Sequence, residues 1–300
     1  MFSIIVPTFN NLKYLQITLK SIVQNSKFNH DIIVHVNEGT DGTLNYLKTN
    51  NINHTYSDKN LGLCSGVNIA AKKASTKYIL YCHDDMYLCP NWDFFLYEEV
   101  KKLNTKKFYL SGTMIEQNSG HIQFDAGSNF NNFDENKLIS NLTKINYFDY
   151  QGSHWAPHLI HKDTWDEIGG FSDEFNPGMG SDPDLNMKLW KSGVRIFKGL
   201  SETKVYHFGS ITIRKKDNFL ANKGSNIFLR KWKITPTFFI QHYLRGGKFI
   251  DNRIISSKYN GPLNNPDKNF KYWLELLKCK FKLLILIIKV CFKLLYFNFI

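Results

Sequence analysis

Short apolar runs alternate with longer segments that carry an apolar stripe along the first 90 residues of the chain. Residues 3–6 and 31–36 are apolar runs of strand length, and residues 52–56 form a further short strand pattern. Residues 12–26, 44–48 and 67–74 repeat apolar residues at helical spacing. A fourth apolar run begins at Tyr78. Strands that alternate with helices pair in parallel through right-handed crossovers. The pattern therefore predicts a doubly wound α/β layout over residues 1–120.

The fourth apolar run ends in two adjacent carboxylates, Asp84 and Asp85, which follow His83. A buried strand cannot keep these charges inside, so we expect them at the carboxyl edge of the sheet, where open α/β sheets bind ligands. Adjacent carboxylate oxygens suit a hydrated divalent cation, and a cation held there would take an anionic substrate to complete its shell. The alternative is that the pair caps a turn before Pro90.

The composition is that of a globular protein, with 300 residues, 43% hydrophobic and 21% charged. The five cysteines are odd in number and include no CxxC pair, which argues against a disulfide framework or a structural zinc site and favours a reducing compartment. The N-terminal residues run directly into a strand pattern without a basic region, so no signal peptide is expected. These features predict a cytoplasmic protein.

The net charge of +12 is compatible with nucleic acid, an anionic membrane or a polyphosphate ligand. Basic residues cluster at 214–216, at 230–233 and in the C-terminal tail. The sequence contains no zinc-finger spacing, RNP-like segment or recognisable helix-turn-helix, so we expect no nucleic-acid partner.

Six short segments, in this order along the chain, resemble the motifs of the inverting glycosyltransferases of family 2, which have the GT-A fold. These segments are residues 3–10, 37–43, 60–62 with Asn68, 83–85, 168–171 and 182–185. The resemblance covers residues 1–215. It implies a nucleotide-sugar-binding half over residues 1–120 and an acceptor half with the catalytic base over residues 121–215.

The fold class that follows is α/β, a GT-A (Rossmann-like) mostly parallel sheet flanked by helices. A basic aromatic extension over residues 216–272 and a basic, amphipathic, membrane-associating helix over residues 273–300 complete the predicted domains.

The resemblance also implies which residues contact the nucleotide-diphosphate sugar, for which a UDP-sugar is favoured. They are Pro7, Thr8, Asn10, Asn37, Glu38, Asn60, Gly62, Asn68 and Asp84, together with Arg214 and Lys215, which would hold the departing diphosphate. Asp85 is the expected direct ligand of Mn²⁺ or Mg²⁺, with Asp84 or His83 acting through water or ribose. His207, placed after a strand, is a further candidate ligand, and the alternative is a structural histidine.

Asp182 is the predicted catalytic base, because inverting transfer is a single displacement in which one carboxylate takes the proton of the acceptor hydroxyl. The alternative is an N-cap role for Asp182 in a helix that starts at Pro183. Trp155 and Asp184 are the predicted acceptor-binding residues. For Trp155 the alternative is a core tryptophan, and for Asp184 a first-turn residue that interacts with helix amides.

The C-terminal tail carries Lys278, Lys282, Lys289 and Lys293 on one helical face. Its longest apolar run between lysines, residues 283–288, is far shorter than the ~20 residues of a transmembrane helix. This pattern predicts an in-plane helix on an anionic membrane. The alternatives are a helix packed on the catalytic domain or on a partner, and a short tilted transmembrane segment with its lysines reaching the interface.

Together these features predict a metal-dependent inverting glycosyltransferase, peripheral on the cytosolic face of a membrane, that acts on a glycan or lipid-linked acceptor in cell-surface polysaccharide or glycoconjugate synthesis. A non-catalytic nucleotide-sugar- or carbohydrate-binding relative is the alternative, because His83 and Ser181 stand where relatives have acids.

Overall fold

The computed structural model describes residues 1–209 and 218–297, except for the side chains of residues 218–222 and 290–297. The strands are β1 (Ser3–Phe9), β2 (Asp31–Asn37), β3 (His54–Ser57), β4 (Tyr78–Tyr81), β5 (Met86–Leu88), β6 (Phe108–Glu116), β7 (Ile122–Gln123), β8 (Tyr150–Gln151), β9 (His158–His161), β10 (Ile196–His207), β11 (Lys248–Ile250) and β12 (Arg253–Ile255). The helices are α1 (Leu12–Asn25), α2 (Thr43–Thr49), α3 (Leu63–Ala71), α4 (Trp92–Lys102), α5 (Glu135–Asn141), α6 (Lys162–Ile168), α7 (Ser181–Lys191), α8 (Asn218–Trp232), α9 (Pro236–Phe239) and α10 (Phe270–Phe297). A 3₁₀ turn covers Asp173–Phe175, and α9 continues as a π-helical turn over Ile240–Leu244.

One large sheet organises the described residues, with its strands in the order β3-β2-β1-β4-β9-β6-β10-β5. Strands β1 to β4 pair in parallel, as do β6 and β10, whereas β9 and β5 enter antiparallel. The prediction of an α/β fold with a mostly parallel sheet flanked by helices is confirmed.

The centre of the sheet is apolar because its strands are covered on both faces. Ile4, Ile5 and Val6 of β1 are fully buried between β2 and β4. Since β1, β2 and β4 run in the same direction, the loops that follow them meet at one edge of the sheet. This edge holds the segments at Asn10, Glu38 and His83.

Strand β10 brings a distant part of the chain to the same edge. It pairs antiparallel with β5, so that His207 at the end of β10 lies opposite Met86 at the start of β5. Just beyond this pair, the backbone N–H of Phe208 donates to the Asp85 carbonyl at 3.2 Å. The antiparallel pairing therefore sets His207 beside the aspartate motif.

The C-terminal helices share their core with the sheet. Phe228 of α8, Phe239 of α9 and Tyr272 of α10 are buried in the same hydrophobic cluster as β1 and β4. The described part of the predicted extension over residues 216–272 therefore packs directly on the sheet. Among the described residues, no helix has both the length and the apolar character needed to cross a bilayer.

Candidate functional site

Two histidines and one aspartate meet at the carboxyl edge of the sheet. The Nε2 atom of His207 lies 3.3 Å from Oδ1 of Asp85, and Nδ1 of His83 lies 3.9 Å from the same oxygen. One ligand atom from each of the three residues lies within 4.8 Å of the other two. Asp85 and His207 are buried, whereas His83 is partly exposed. The three residues could hold a divalent cation that remains open to a ligand on the His83 side.

The donor set fits a particular class of metal. Carboxylate oxygen suits Mg²⁺ and Mn²⁺, but imidazole nitrogen is a poor ligand for Mg²⁺, which favours oxygen. Two imidazoles and one carboxylate therefore fit Mn²⁺ better than Mg²⁺.

Glu116 supports this cluster from the neighbouring strand. Glu116 is the last residue of β6, and its Oε1 atom lies 2.6 Å from Nδ1 of His207. Burial lowers the pKa of His207, but the carboxylates of Asp85 and Glu116 outweigh burial and raise the pKa to about 10. Burial likewise raises the pKa of Asp85, but His207 and His83 more than compensate and hold that pKa below its ordinary value. The side chains are thus arranged around a shared positive charge, as a cation site requires.

Asp84 takes a different environment from its neighbour. Its backbone carbonyl accepts a hydrogen bond from Thr18 Oγ1 at 2.9 Å, which fixes the turn between β4 and β5. Burial, followed by the charge of Asp85, raises the pKa of the Asp84 carboxyl above its ordinary value, although the nearby polar side chains of Thr8 and Asn11 act in the opposite direction. Asp84 therefore lies near the end of β1, where Thr8 is predicted to contact the donor.

The predicted donor-binding loops are hydrogen-bonded to one another. Oδ1 of Asn37 accepts from the Leu61 N–H at 2.9 Å, and Oε1 of Glu38 accepts from the Asn60 N–H at 3.2 Å. The Asn60 side chain in turn accepts from the Gly62 N–H at 2.8 Å. Residues that follow β2 and β3 thus form a single wall at the edge of the sheet.

The loop after β1 joins this wall. Asn10 Oδ1 accepts from the Thr40 N–H at 2.8 Å, across to the loop after β2. Pro7 is buried within β1, opposite His35 of β2. The ends of β1 and β2 therefore lie side by side, and donor contacts by Pro7, Thr8 and Asn10 stay predictions.

The side chain of Asn68 is bound to a distant loop. Its Nδ2 atom donates to the Phe171 carbonyl at 2.8 Å, and its Oδ1 atom accepts from the Phe171 N–H at 2.9 Å. The amide therefore joins α3 to the loop after α6, and a donor contact by Asn68 stays a prediction.

Asp182 lies in the first turn of α7 with one carboxylate oxygen buried. The helix begins at Ser181, and Gly180 occupies the N-cap position with a left-handed φ of 85°. The alternative N-cap role of Asp182 is therefore wrong, because Gly180 is the N-cap residue and Asp182 lies inside the helix. Oδ1 of Asp182 has no hydrogen-bond partner among the described residues, and burial raises the pKa of the carboxyl to about 7.

The surroundings of Asp182 link it to the aspartate motif. Burial raises the pKa of the Tyr81 hydroxyl, and the charges of Asp182 and Asp84 both add to the effect. Burial and the Asp182 charge likewise raise the pKa of Tyr109 and of Cys64. Asp182 and Asp84 thus both lie near Tyr81, the last residue of β4.

Asp184, two residues further along α7, is fully buried and bound on several sides. Its carboxylate accepts from Ser172 Oγ at 2.6 Å and from Trp232 Nε1 at 2.7 Å, and Lys231 Nζ lies 3.0 Å away. The predicted acceptor contact of Asp184 is corrected, because the side chain joins α7 to α8 and has no exposed surface.

We expect Asp184→Asn to lower the free energy of unfolding by about 2 kcal/mol, since the amide loses the charge that Lys231 and Trp232 bind inside the protein. Urea denaturation followed by circular dichroism measures the change. Asp166→Asn, which breaks a surface pair with Lys162, is the matched control and should change stability much less. Equal effects of the two substitutions would contradict the prediction.

Trp155 is half-buried and therefore does not match the alternative of a core tryptophan. Its ring lies against His154, with centroids 4.3 Å apart, and against Phe249 of β11, with centroids 5.6 Å apart. Its carbonyl accepts from the Tyr109 hydroxyl at 3.0 Å, which links it to the surroundings of Asp182. An acceptor contact by Trp155 stays a prediction.

Arg214 and Lys215, which are predicted to hold the departing diphosphate, lie outside the described residues.

Sequence reasoning gave no role to Glu116 and no direct metal contact to His83. Glu116 ends an entirely buried strand in a carboxylate, the same signal that singled out Asp84 and Asp85. Tyr81 and Tyr109 have no signal in the sequence, because an aromatic residue in a buried strand is ordinary core.

Comparisons with known proteins agree with this geometry. The Glycosyl transferase family 2 model matches residues 3–157, just over half of the chain. S. aureus TarS 1-349 superposes with a TM-score of 0.54 at 14% identity, over 77% of this chain and 72% of that one. The complex of TarS 1-349 with UDP-GlcNAc gives 0.51 at 17% identity, over 79% and 74%. A structure of GalNAc-T7 with UDP, GalNAc and Mn²⁺ gives 0.53 at 16% identity, over 69% and 43%.

A comparison with curated proteins gives no match. The structural likenesses, at low identity, show the fold, and they confirm the predicted GT-A architecture. The family model covers the segments at residues 3–10, 37–43, 60–62 and 83–85 that carry the resemblance. The chain therefore belongs to glycosyltransferase family 2.

Proposed function

We propose that the protein is a metal-dependent, inverting glycosyltransferase that moves a sugar from a nucleotide-diphosphate sugar, with a UDP-sugar favoured, to a glycan or lipid-linked acceptor. The observation that carries the proposal is the pairing of a three-ligand cation site with a second, separate carboxylate. His83, Asp85 and His207 form the first, and Asp182 is the second. Inverting transfer needs both, one at the leaving diphosphate and one at the attacking hydroxyl.

His83, Asp85 and His207 would hold the cation, and the two-histidine donor set favours Mn²⁺. A bound divalent cation neutralises the negative charge that develops on the leaving diphosphate. Glu116 holds His207 in place through its Nδ1 atom, which leaves Nε2 directed at Asp85.

Asp182 has the properties of a general base. Its pKa of about 7 keeps it basic enough to accept a proton from an acceptor hydroxyl near neutral pH. Its buried Oδ1 atom, which has no hydrogen-bond partner within the described part of the chain, is available to that proton. The hydroxyl oxygen attacks the anomeric carbon as Asp182 takes its proton, and the bond from that carbon to the diphosphate breaks in the same step.

The wall formed by Asn37, Glu38 and Asn60 supports donor binding at the carboxyl edge of β1, β2 and β3. The likeness to TarS in complex with UDP-GlcNAc and to GalNAc-T7 with UDP and Mn²⁺ favours a UDP-sugar with Mn²⁺. We place the reaction in the cytoplasm, at the cytosolic face of a membrane, in the synthesis of a cell-surface polysaccharide or glycoconjugate, because the positive charge is concentrated near the C-terminus.

A thermal-shift screen tests donor binding. With Mn²⁺ present, UDP should stabilise the protein more than GDP, dTDP or CMP. At a concentration of a hundred times Kd, UDP should raise the free energy of unfolding by about 2.7 kcal/mol above that of the ligand-free protein. Mg²⁺ should support a smaller shift than Mn²⁺, because only the carboxylate of the three ligands suits it well. The absence of any nucleotide-dependent shift with either metal would contradict the proposal.

Hydrolysis of the bound donor separates the enzyme from a non-catalytic relative. Slow, Mn²⁺-dependent release of free sugar and UDP is expected of an enzyme, since water can replace the acceptor hydroxyl. Binding without release would favour the nucleotide-sugar-binding alternative.

A further inference from the structure

The outward face of α10 carries a continuous row of large apolar side chains. Six of them recur every three or four residues and are between 44% and 84% exposed, namely Phe270, Trp273, Leu277, Phe281, Leu284 and Ile288. This spacing sets them on one face of a helix with 3.6 residues per turn. A contiguous exposed apolar surface of this length is uncommon on a soluble monomer and marks an interaction site. We call these six residues the outward row.

The opposite face of α10 is the one that the fold uses. Tyr272 and Cys279 are buried, and Leu276 and Leu283 pack against the main core. A polar contact also ties the helix down, since Nε2 of His242 lies 2.5 Å from the Glu275 carboxylate. The helix is therefore fixed to the domain by one apolar face while it presents a second one outward.

Lysines border the outward row. Lys271, Lys278, Lys282 and Lys289 are exposed and follow one another at intervals of seven, four and seven residues, along one border, and Lys280 lies on the other border. Glu275 is the one acidic residue in the sequence of α10, and it is paired with His242. The whole outward side of the helix is therefore apolar at its centre and positive at its borders.

The excess of positive charge in the whole chain also lies in its C-terminal part. Residues 201–300 contain 19 of the 38 lysines and arginines but only 5 of the 26 acidic residues. The first 200 residues are close to neutral, so the net positive charge of the protein belongs to its C-terminal third.

We propose that the outward row of α10 binds the surface of an anionic lipid bilayer, with the helix in the plane of the headgroups. Apolar side chains at the centre would enter the acyl boundary, and the bordering lysines would contact anionic headgroups. A second copy of the chain fits less well, because two outward rows in contact would bring rows of lysines together without acidic partners. The inference rests on the proposed function only in its location at a membrane, and it gives that membrane a defined contact surface.

Co-sedimentation of the full chain with lipid vesicles tests the inference. Vesicles of phosphatidylcholine with about one third phosphatidylglycerol should bind the protein, whereas pure phosphatidylcholine should bind it weakly. The variant with Leu277→Ser, Phe281→Ser and Leu284→Ser should bind the anionic vesicles at least about tenfold more weakly. A second variant, with Lys278→Glu, Lys282→Glu and Lys289→Glu, should lose the preference for anionic lipid.

The matched control removes three exposed apolar side chains elsewhere, with Val23→Ser, Phe94→Ser and Ile139→Ser. It should bind vesicles like the wild type. Equal binding by the control and by the Leu277, Phe281 and Leu284 variant would overturn the inference. So would light scattering that shows a wild-type dimer which the same variant converts to a monomer, because the outward row would then be covered by a second copy.

Donor binding is measured in parallel, by the thermal shift with UDP and Mn²⁺. All variants should keep the wild-type shift, which also shows that they are folded. If the wild type shows the UDP shift but does not bind vesicles, the membrane inference alone is overturned. If it binds vesicles but shows no UDP shift, the proposed function alone is overturned.

Discussion

Asp182→Asn should reduce the rate of sugar transfer, kcat, by about 10³-fold while donor binding stays close to that of the wild type. The amide has nearly the shape of the carboxylate but cannot accept the proton of the acceptor hydroxyl. Because Oδ1 of Asp182 has no hydrogen-bond partner among the described residues, the substitution breaks no contact of that atom. Steady-state transfer to an acceptor, with UDP release as the readout, measures kcat and the donor KM.

The pH profile gives this prediction a second readout. The pKa of about 7 at Asp182 means that wild-type kcat should rise as pH passes through that value, and this limb should be absent in Asp182→Asn. Cys64, Tyr81 and Tyr109 stay neutral over this range, because burial raises the pKa of Cys64 to about 12 and keeps those of Tyr81 and Tyr109 above their ordinary values. Asp84 titrates in the same range, because burial and the charge of Asp85 raise its pKa to about 7.

The same pKa has a consequence for stability, with a definite sign. The folded-state pKa lies above the ordinary value of 3.8, so the carboxyl favours folding at low pH, and this contribution is lost as pH rises through about 7. Above that pH, Asp182→Asn should be more stable than the wild type. Asp163→Asn, at an exposed position on α6, is the control and should retain wild-type kcat. A kcat for Asp182→Asn within tenfold of the wild type would rule out Asp182 as the base.

Asp85→Asn should weaken Mn²⁺ binding by at least about two orders of magnitude and reduce transfer accordingly. Asp85 supplies the negative charge of the three-ligand cluster, and the two histidines cannot replace it. Isothermal titration calorimetry of the protein with Mn²⁺, in the presence of UDP, measures the affinity directly and needs no turnover.

Glu116→Gln should reduce Mn²⁺ affinity less than Asp85→Asn does. Glu116 contacts His207 and lies behind the cluster, so its replacement should weaken Mn²⁺ binding by about 10- to 100-fold, less than the loss of Asp85. Wild-type Mn²⁺ affinity in Asp85→Asn, or a larger loss in Glu116→Gln than in Asp85→Asn, would show that the cation binds elsewhere.

The side chains of Asn68 and Asp184 are both bound by distant parts of the chain. Both lie in segments that resemble the family, and in both cases the side chain is taken up by a distant part of the chain, namely Phe171 for Asn68 and Ser172, Lys231 and Trp232 for Asp184. A motif fixes the order of residues, but which polar side chain remains free depends on what packs against it.

The sequence by itself determined the alternation of strands and helices, the parallel half of the sheet and the position of Asp84 and Asp85 at the end of a buried strand. These follow from hydrophobic periodicity and from the cost of burying charge, which act over a few neighbouring residues. It also predicted a lysine-lined C-terminal helix, since that pattern is likewise local.

Only the tertiary structure decided which distant side chains meet. His207 reaches Asp85 because β10 pairs antiparallel with β5, and the packing around α7 leaves Oδ1 of Asp182 without a hydrogen-bond partner among the described residues. Likewise, the packing of Tyr272 and Cys279 on the domain selects which of the two apolar faces of α10 turns outward. Such contacts join residues far apart in the chain, and their geometry is set by sheet order, register and packing, which no local pattern encodes.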